Sequence, residues 1–139
     1  MAQAPIVGRD REVERLSEAI DNAAEGHGSV WYLIGEPGIG KSRLAEEVGR
    51  LARERGMRTF WGRCWEAGGA PAYWPWVQVL RAVLRTSEPE QVDPYLRRLA
   101  QILPELRAKQ SFPDVAELGP DQARFQLMDA VSNVLADAA

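Results

Sequence analysis

The residues of this chain best suited to chemistry are Gly35-Glu36-Pro37-Gly38-Ile39-Gly40-Lys41-Ser42. They fill the pattern G-x-x-x-x-G-K-[ST], in which a glycine-rich loop cradles the phosphates of a nucleoside triphosphate. Backbone N–H groups of such a loop wrap the β-phosphate. A lysine ammonium bridges the β- and γ-phosphates, and a serine hydroxyl ligates Mg²⁺. The pattern thus predicts an ATP or ADP site with Mg²⁺, built from Gly35, Glu36, Pro37, Gly38, Ile39, Gly40, Lys41 and Ser42. Lys41 would stabilise phosphate charge and Ser42 would hold the metal. The glycines permit φ > 0 and a close backbone approach to phosphate. A helix starting inside the loop would turn its unpaired N–H groups and positive dipole end toward the anion.

The flanking elements have to present that loop. Ser29-Val30-Trp31-Tyr32-Leu33-Ile34 is a continuous apolar, β-branched and aromatic run. It reads as a strand buried on both faces of a parallel sheet. Lys41 to Arg55 reads as a helix with Leu44, Val48 and Leu51 inward and Gly56 as its stop. Upstream, Asp10 to Glu25 places Val13, Leu16, Ile20 and Ala23 on one helical face, ahead of Gly26-His27-Gly28. Arg58 to Gly62 reads as a second strand. Strand, phosphate loop, helix and strand together predict an α/β fold of parallel strands with flanking helices.

The C-terminal half is expected to be rich in helix. Pro75 suits the first turn of a helix running to about Arg85. Asp93-Pro94 would begin another, carrying Tyr95, Leu96, Leu99 and Ile102. Pro104, Pro113 and Gly119-Pro120 punctuate the next stretch, and Asp121 onward carries Phe125, Met128, Val131 and Leu135 on one stripe. Residues 1–72 are thus expected to form the nucleotide-binding core and 73–139 a helical segment, both parts of one domain. A hydrolase of this kind also needs an apolar strand ending in an acid that positions Mg²⁺ and activates water. Val134-Leu135-Ala136-Asp137 comes nearest but has helical periodicity, so the catalytic acid is expected to be missing from these residues.

Bulk properties narrow the class. The chain has 139 residues, 45% of them hydrophobic and 27% charged, in keeping with a globular domain or part of one. Its net charge of −3 gives no electrostatic case for binding nucleic acid or an anionic membrane. No apolar run is long enough to span a bilayer, no signal peptide is visible, and one cysteine allows no internal disulfide. A reducing, cytoplasmic setting is expected.

The loop, the upstream Val7-Gly8-Arg9-Asp10-Arg11-Glu12 and the downstream Gly62-Arg63-Cys64 resemble the ATPase domain of large bacterial signal-transduction ATPases. These are STAND-type relatives of AAA+ proteins, found in LuxR-type transcriptional regulators and in some adenylate-cyclase-linked proteins. Ala70-Pro71-Ala72-Tyr73-Trp74-Pro75-Trp76 and Arg124-Phe125 extend the resemblance over nearly the whole chain. It implies that Val7, Gly8 and Arg9 line the pocket for the adenine base. It also implies an incomplete P-loop NTPase (AAA+-like) domain, in which the two strands are non-adjacent and the acidic strand, the sensor regions and an output domain lie downstream. Such a piece is expected to be marginal alone, because unpaired strand edges are costly. Its partners would be ATP, a second copy, or downstream domains of the same chain.

Other residues carry weaker signals. Arg63 and Arg124 are candidate phosphate sensors or interprotomer contacts, although a structural role suits surface arginines better. Glu66 is a candidate polar lining residue. Trp74 and Trp76 read as core anchors of a helical lid. Cys64 reads as a small buried residue, and His27 lacks the partners of a metal or catalytic site. The leading reading is an ATP-binding regulatory module that does not hydrolyse ATP by itself. A small-molecule kinase remains open, as does a protein-interaction module with a vestigial phosphate loop.

Overall fold

Apolar residues three and four apart decide which helices pack. In the computed structural model, which describes residues 6–64, 69, 71–87, 95–106 and 119–138, the chain divides into one unit ending at Thr59 and another beginning at Phe60.

The first unit is a pair of amphipathic helices, α1 (Asp10–Ala24) and α2 (Lys41–Glu54), packed on each other. Leu16 and Ile20 of α1 and Leu44, Gly49 and Ala52 of α2 are buried. Asp10 and Glu12 in the first turn of α1 complement its dipole. α1 ends where Gly26 takes a φ of 90° and the His27 N–H donates to the Asn22 carbonyl at 2.9 Å. Near the far end of the pair, Arg55 donates through Nε to Asp21 Oδ1 and through Nη2 to Ser17 Oγ, both at 2.6 Å. The bond to Asp21 holds its carboxyl below the usual aspartate range.

The second unit holds the larger core. It contains α3 (Trp74–Thr86), a helical turn over 95–99 and α4 (Pro120–Asp137). Both helices have proline in the first turn, where no backbone donor is lost. Val77, Leu80 and Val83 of α3 meet Leu99 and Leu103, and Leu127, Ala130, Val131 and Val134 of α4 complete the cluster. Leu80, Val83, Leu99 and Leu103 are fully buried. An Arg81–Glu105 ion pair at 2.6 Å lies at the rim.

Among the described residues the parallel sheet expected from the sequence is not formed, and this overturns the α/β class. Among the described residues the structure is helical, with no strand and no ladder. The Ser29–Ile34 run, expected to be buried on both faces, is largely open to solvent: Val30 is 81% exposed, Tyr32 80% and Ile34 92%. The Arg58–Gly62 run likewise enters no ladder. A helix satisfies its N–H and C=O groups within one segment, whereas a strand needs a second segment alongside it. Apolar content signals that a run is suited to burial but does not supply the partner. The expected helix start at Asp93-Pro94, the punctuation at Pro113 and the lining role of Glu66 fall outside the described residues.

Candidate functional site

The phosphate-loop residues form a tight turn that runs directly into α2. The Ile39 N–H donates to the Glu36 carbonyl at 3.3 Å. Gly38 and Gly40 take φ values of 80° and 95°, the left-handed region in which a side chain would be strained. Gly40 is the N-cap residue of α2, and no side chain caps this helix end. Nor does the first turn of α2 carry an acidic residue. The helix end thus keeps its partial positive charge available to an anion.

Lys41 folds back over the loop. Its Nζ donates to the Gly35 carbonyl at 2.8 Å and to the Glu36 carbonyl at 2.9 Å. These bonds draw the two ends of the loop together and hold the ammonium beside the turn. Arg9 reaches the same loop from the start of α1. Its Nη2 donates to the Ile39 carbonyl at 2.8 Å, and its Nη1 pairs with Glu12 Oε1 at 3.1 Å.

A cleft of about 250 Å³ opens beside the loop. Arg9, Arg15 and Lys41 supply three cations to its wall and Glu12 one carboxylate, while Leu16, Trp31, Leu33 and Leu44 supply apolar surface. The Arg15 guanidinium lies 5.5 Å from the centroid of the Trp31 ring, a cation–π distance. The excess of cations suits an anionic ligand. The volume falls below the ~300–1,000 Å³ of typical small-molecule sites. A whole nucleotide would therefore extend beyond it.

The structure brings Gly35, Ile39, Lys41 and Arg9 together at this cleft. Ser42 is exposed in the first turn of α2, adjacent to Lys41. Of the three residues expected on the base side, Arg9 lines the cleft, whereas Val7 is 87% exposed and Gly8 is exposed. Glu12, Arg15 and Trp31 also line it and were not expected to. Glu12 and Leu16 share a helical face with Arg9 at spacings of three and seven, a signal legible in the sequence. In the second unit the Arg63 carbonyl accepts from Gln78 Nε2 at 2.8 Å, and Arg124 is exposed on α4. Trp74 packs on the core as expected, but Trp76 is 48% exposed and Cys64 is exposed rather than buried.

The sequence pattern of the AAA ATPase domain family matches residues 5–139. The chain belongs to that family. It is therefore a nucleotide-binding, ATPase-type domain. The chain is 33% identical over 64 residues to an uncharacterized protein of Rhizobium meliloti (strain 1021). That match covers 46% of this AAA ATPase domain and 6% of the relative's length. No solved structure matches the chain. Among the described residues, no helix is long and apolar enough to cross a membrane.

Mg²⁺, which usually accompanies the nucleotide in such domains, fits the donors present. Among the described residues no group of three or more His, Cys, Asp or Glu could hold a metal. Mg²⁺ commonly keeps its waters and binds through substrate phosphates and few protein oxygens. Ser42, exposed in the first turn of α2, carries a hydroxyl, the oxygen donor type that Mg²⁺ takes.

Proposed function

We propose that this domain binds ATP with Mg²⁺ at the Gly35–Ser42 loop and acts as the nucleotide-responsive part of a bacterial signalling ATPase of the STAND type. The observation that carries the reading is the loop itself. Gly38 and Gly40 take positive φ and lead into an uncapped helix start free of acidic residues, and Lys41 at that start lines a cation-rich cleft together with Gly35 and Ile39. Lys41 would trade carbonyl contacts for phosphate oxygens, and Ser42 would ligate Mg²⁺. Val7 and Gly8 would bound the base side. The regulatory role rests on the resemblance to transcriptional regulators. Nucleotide would then hold one state of the parent protein, and its loss or cleavage would release it.

Calorimetric titration of the folded domain with ATP and Mg²⁺, and with AMP as control, tests the reading. ATP is expected to bind and AMP to bind far more weakly, because AMP lacks the β- and γ-phosphates the loop is built to hold. A folded sample that binds neither would overturn it. Hydrolysis by these residues alone is expected to be negligible, and turnover well above that of Lys41→Ala would contradict this part.

A further inference from the structure

We propose that Arg9 is a positioning residue of the phosphate loop: its guanidinium holds the Ile39 carbonyl and so aims the Gly40 N–H at bound phosphate. The proposal rests on the nucleotide-binding reading for its ligand, but the contact is present without one. Arg9 Nη2 donates to the Ile39 carbonyl at 2.8 Å across a sequence separation of 30 residues. A peptide unit is planar and trans, and no cis bond occurs among the described residues. The carbonyl of Ile39 and the N–H of Gly40 therefore point in opposite directions. A cation that fixes the first also fixes the second, directed away from the guanidinium.

The loop needs such a device at this peptide. Gly40 has a φ of 95° and Gly38 a φ of 80°. Glycine adopts either sign of φ with little strain, so the Ile39–Gly40 peptide flips easily. A flip would present a carbonyl oxygen where the phosphate needs a donor. The Arg9 bond biases the peptide against that flip. Glu12 Oε1 holds the other branch of the guanidinium at 3.1 Å, which reduces its freedom to leave the carbonyl. The platform is also anchored at its far end, where Arg55 ties α2 to Ser17 and Asp21 of α1.

A residue that contacts the base and one that holds the loop predict different losses. A base contact is made only with a nucleotide. A loop clamp acts on phosphate whatever is attached to it. Calorimetric titration of wild type, Arg9→Lys and Arg9→Ala with ATP and with inorganic tripolyphosphate, each with Mg²⁺, separates the two. Arg9→Ala is expected to weaken both ligands by the same factor, about five- to tenfold, as suits one partly exposed charge-assisted bond acting at one remove. Arg9→Lys keeps a charge and a donor and should recover part of both losses. Loss with ATP alone, or no loss with either, overturns the proposal.

The amide NMR spectrum of the ligand-free domain tests the clamp without any ligand. In Arg9→Ala the Gly40 N–H peak should shift or broaden while the α1 and α2 peaks beyond the first turn of each helix stay in place. An unmoved Gly40 peak overturns the clamp. If Arg9→Ala unfolds, the Gly40 peak of Arg9→Lys decides in the same way. If wild type binds neither ligand, the nucleotide reading has failed, and the clamp stands or falls on the Gly40 peak.

Discussion

Replacing Lys41 with alanine removes the group on which the loop depends most directly. In the structure the Lys41 ammonium makes two bonds to the loop itself, to Gly35 at 2.8 Å and Glu36 at 2.9 Å. Phosphate oxygens must compete with these carbonyls, so the gain on binding is smaller than the sum of the new contacts. A hydrogen bond to a charged group contributes about 1.5–3 kcal/mol. Taking one such bond as the net gain, Lys41→Ala should weaken ATP about 10- to 150-fold. The variant also frees the Gly35 and Glu36 carbonyls, which loosens the loop and adds to the loss. The assay is calorimetric titration with ATP and Mg²⁺, with circular dichroism as the folding control. The effect should be nearly absent for adenosine, which carries no phosphate for the ammonium to meet. An ATP affinity within about threefold of wild type in a folded Lys41→Ala protein would refute the assignment of the loop.

Three further outcomes are expected. Ser42→Ala should reduce the gain in ATP affinity produced by Mg²⁺ about tenfold while leaving Mg²⁺-free binding close to wild type; an unchanged Mg²⁺ effect would remove Ser42 from the metal site. Leu80 is fully buried at the centre of the second core, so Leu80→Ala should cost about 2–5 kcal/mol in urea unfolding, and a loss well under about 1 kcal/mol would mean that the core is looser than the packing shows. Asp21 titrates below the usual range because Arg55 donates to it, so the folded state gives up its ionised carboxylate less readily than the unfolded state does. The stability from this bond is present above the ordinary aspartate range and is lost as pH falls through it, from about pH 5 downward. Asp21→Asn should remove that part of the acid sensitivity, and parallel urea midpoints for both proteins between about pH 6 and pH 3 would count against it.

Much of the site was legible because its signals are local. The glycines of the loop mark positions of positive φ, and Gly38 and Gly40 adopt them. The stripe Leu16–Ile20 and the stripe around Leu44 specify which faces of α1 and α2 meet. Other features were not legible because they depend on what comes alongside. The bond from Arg9 to Ile39 joins residues that periodicity does not connect. Gly62 gave no local sign of its role, yet a Cβ there would lie 2.4 Å from the Pro75 carbonyl oxygen. Its lack of a side chain serves a close backbone approach rather than a turn. Cys64 was expected to be buried through its type, but its surroundings leave it exposed.

The sequence by itself indicated the glycine turn at 35–42, the lysine at its end and, among the described residues, helices α1 to α4. Each rests on bonds made within a few residues, where spacing and residue type suffice. Tertiary structure alone decided whether the apolar runs 29–34 and 58–62 would enter a sheet, and among the described residues they do not. It also decided that Arg9 meets the loop through a carbonyl. Both are settled between distant segments, because a strand is completed by a neighbour and a guanidinium by whatever acceptor packing brings within reach.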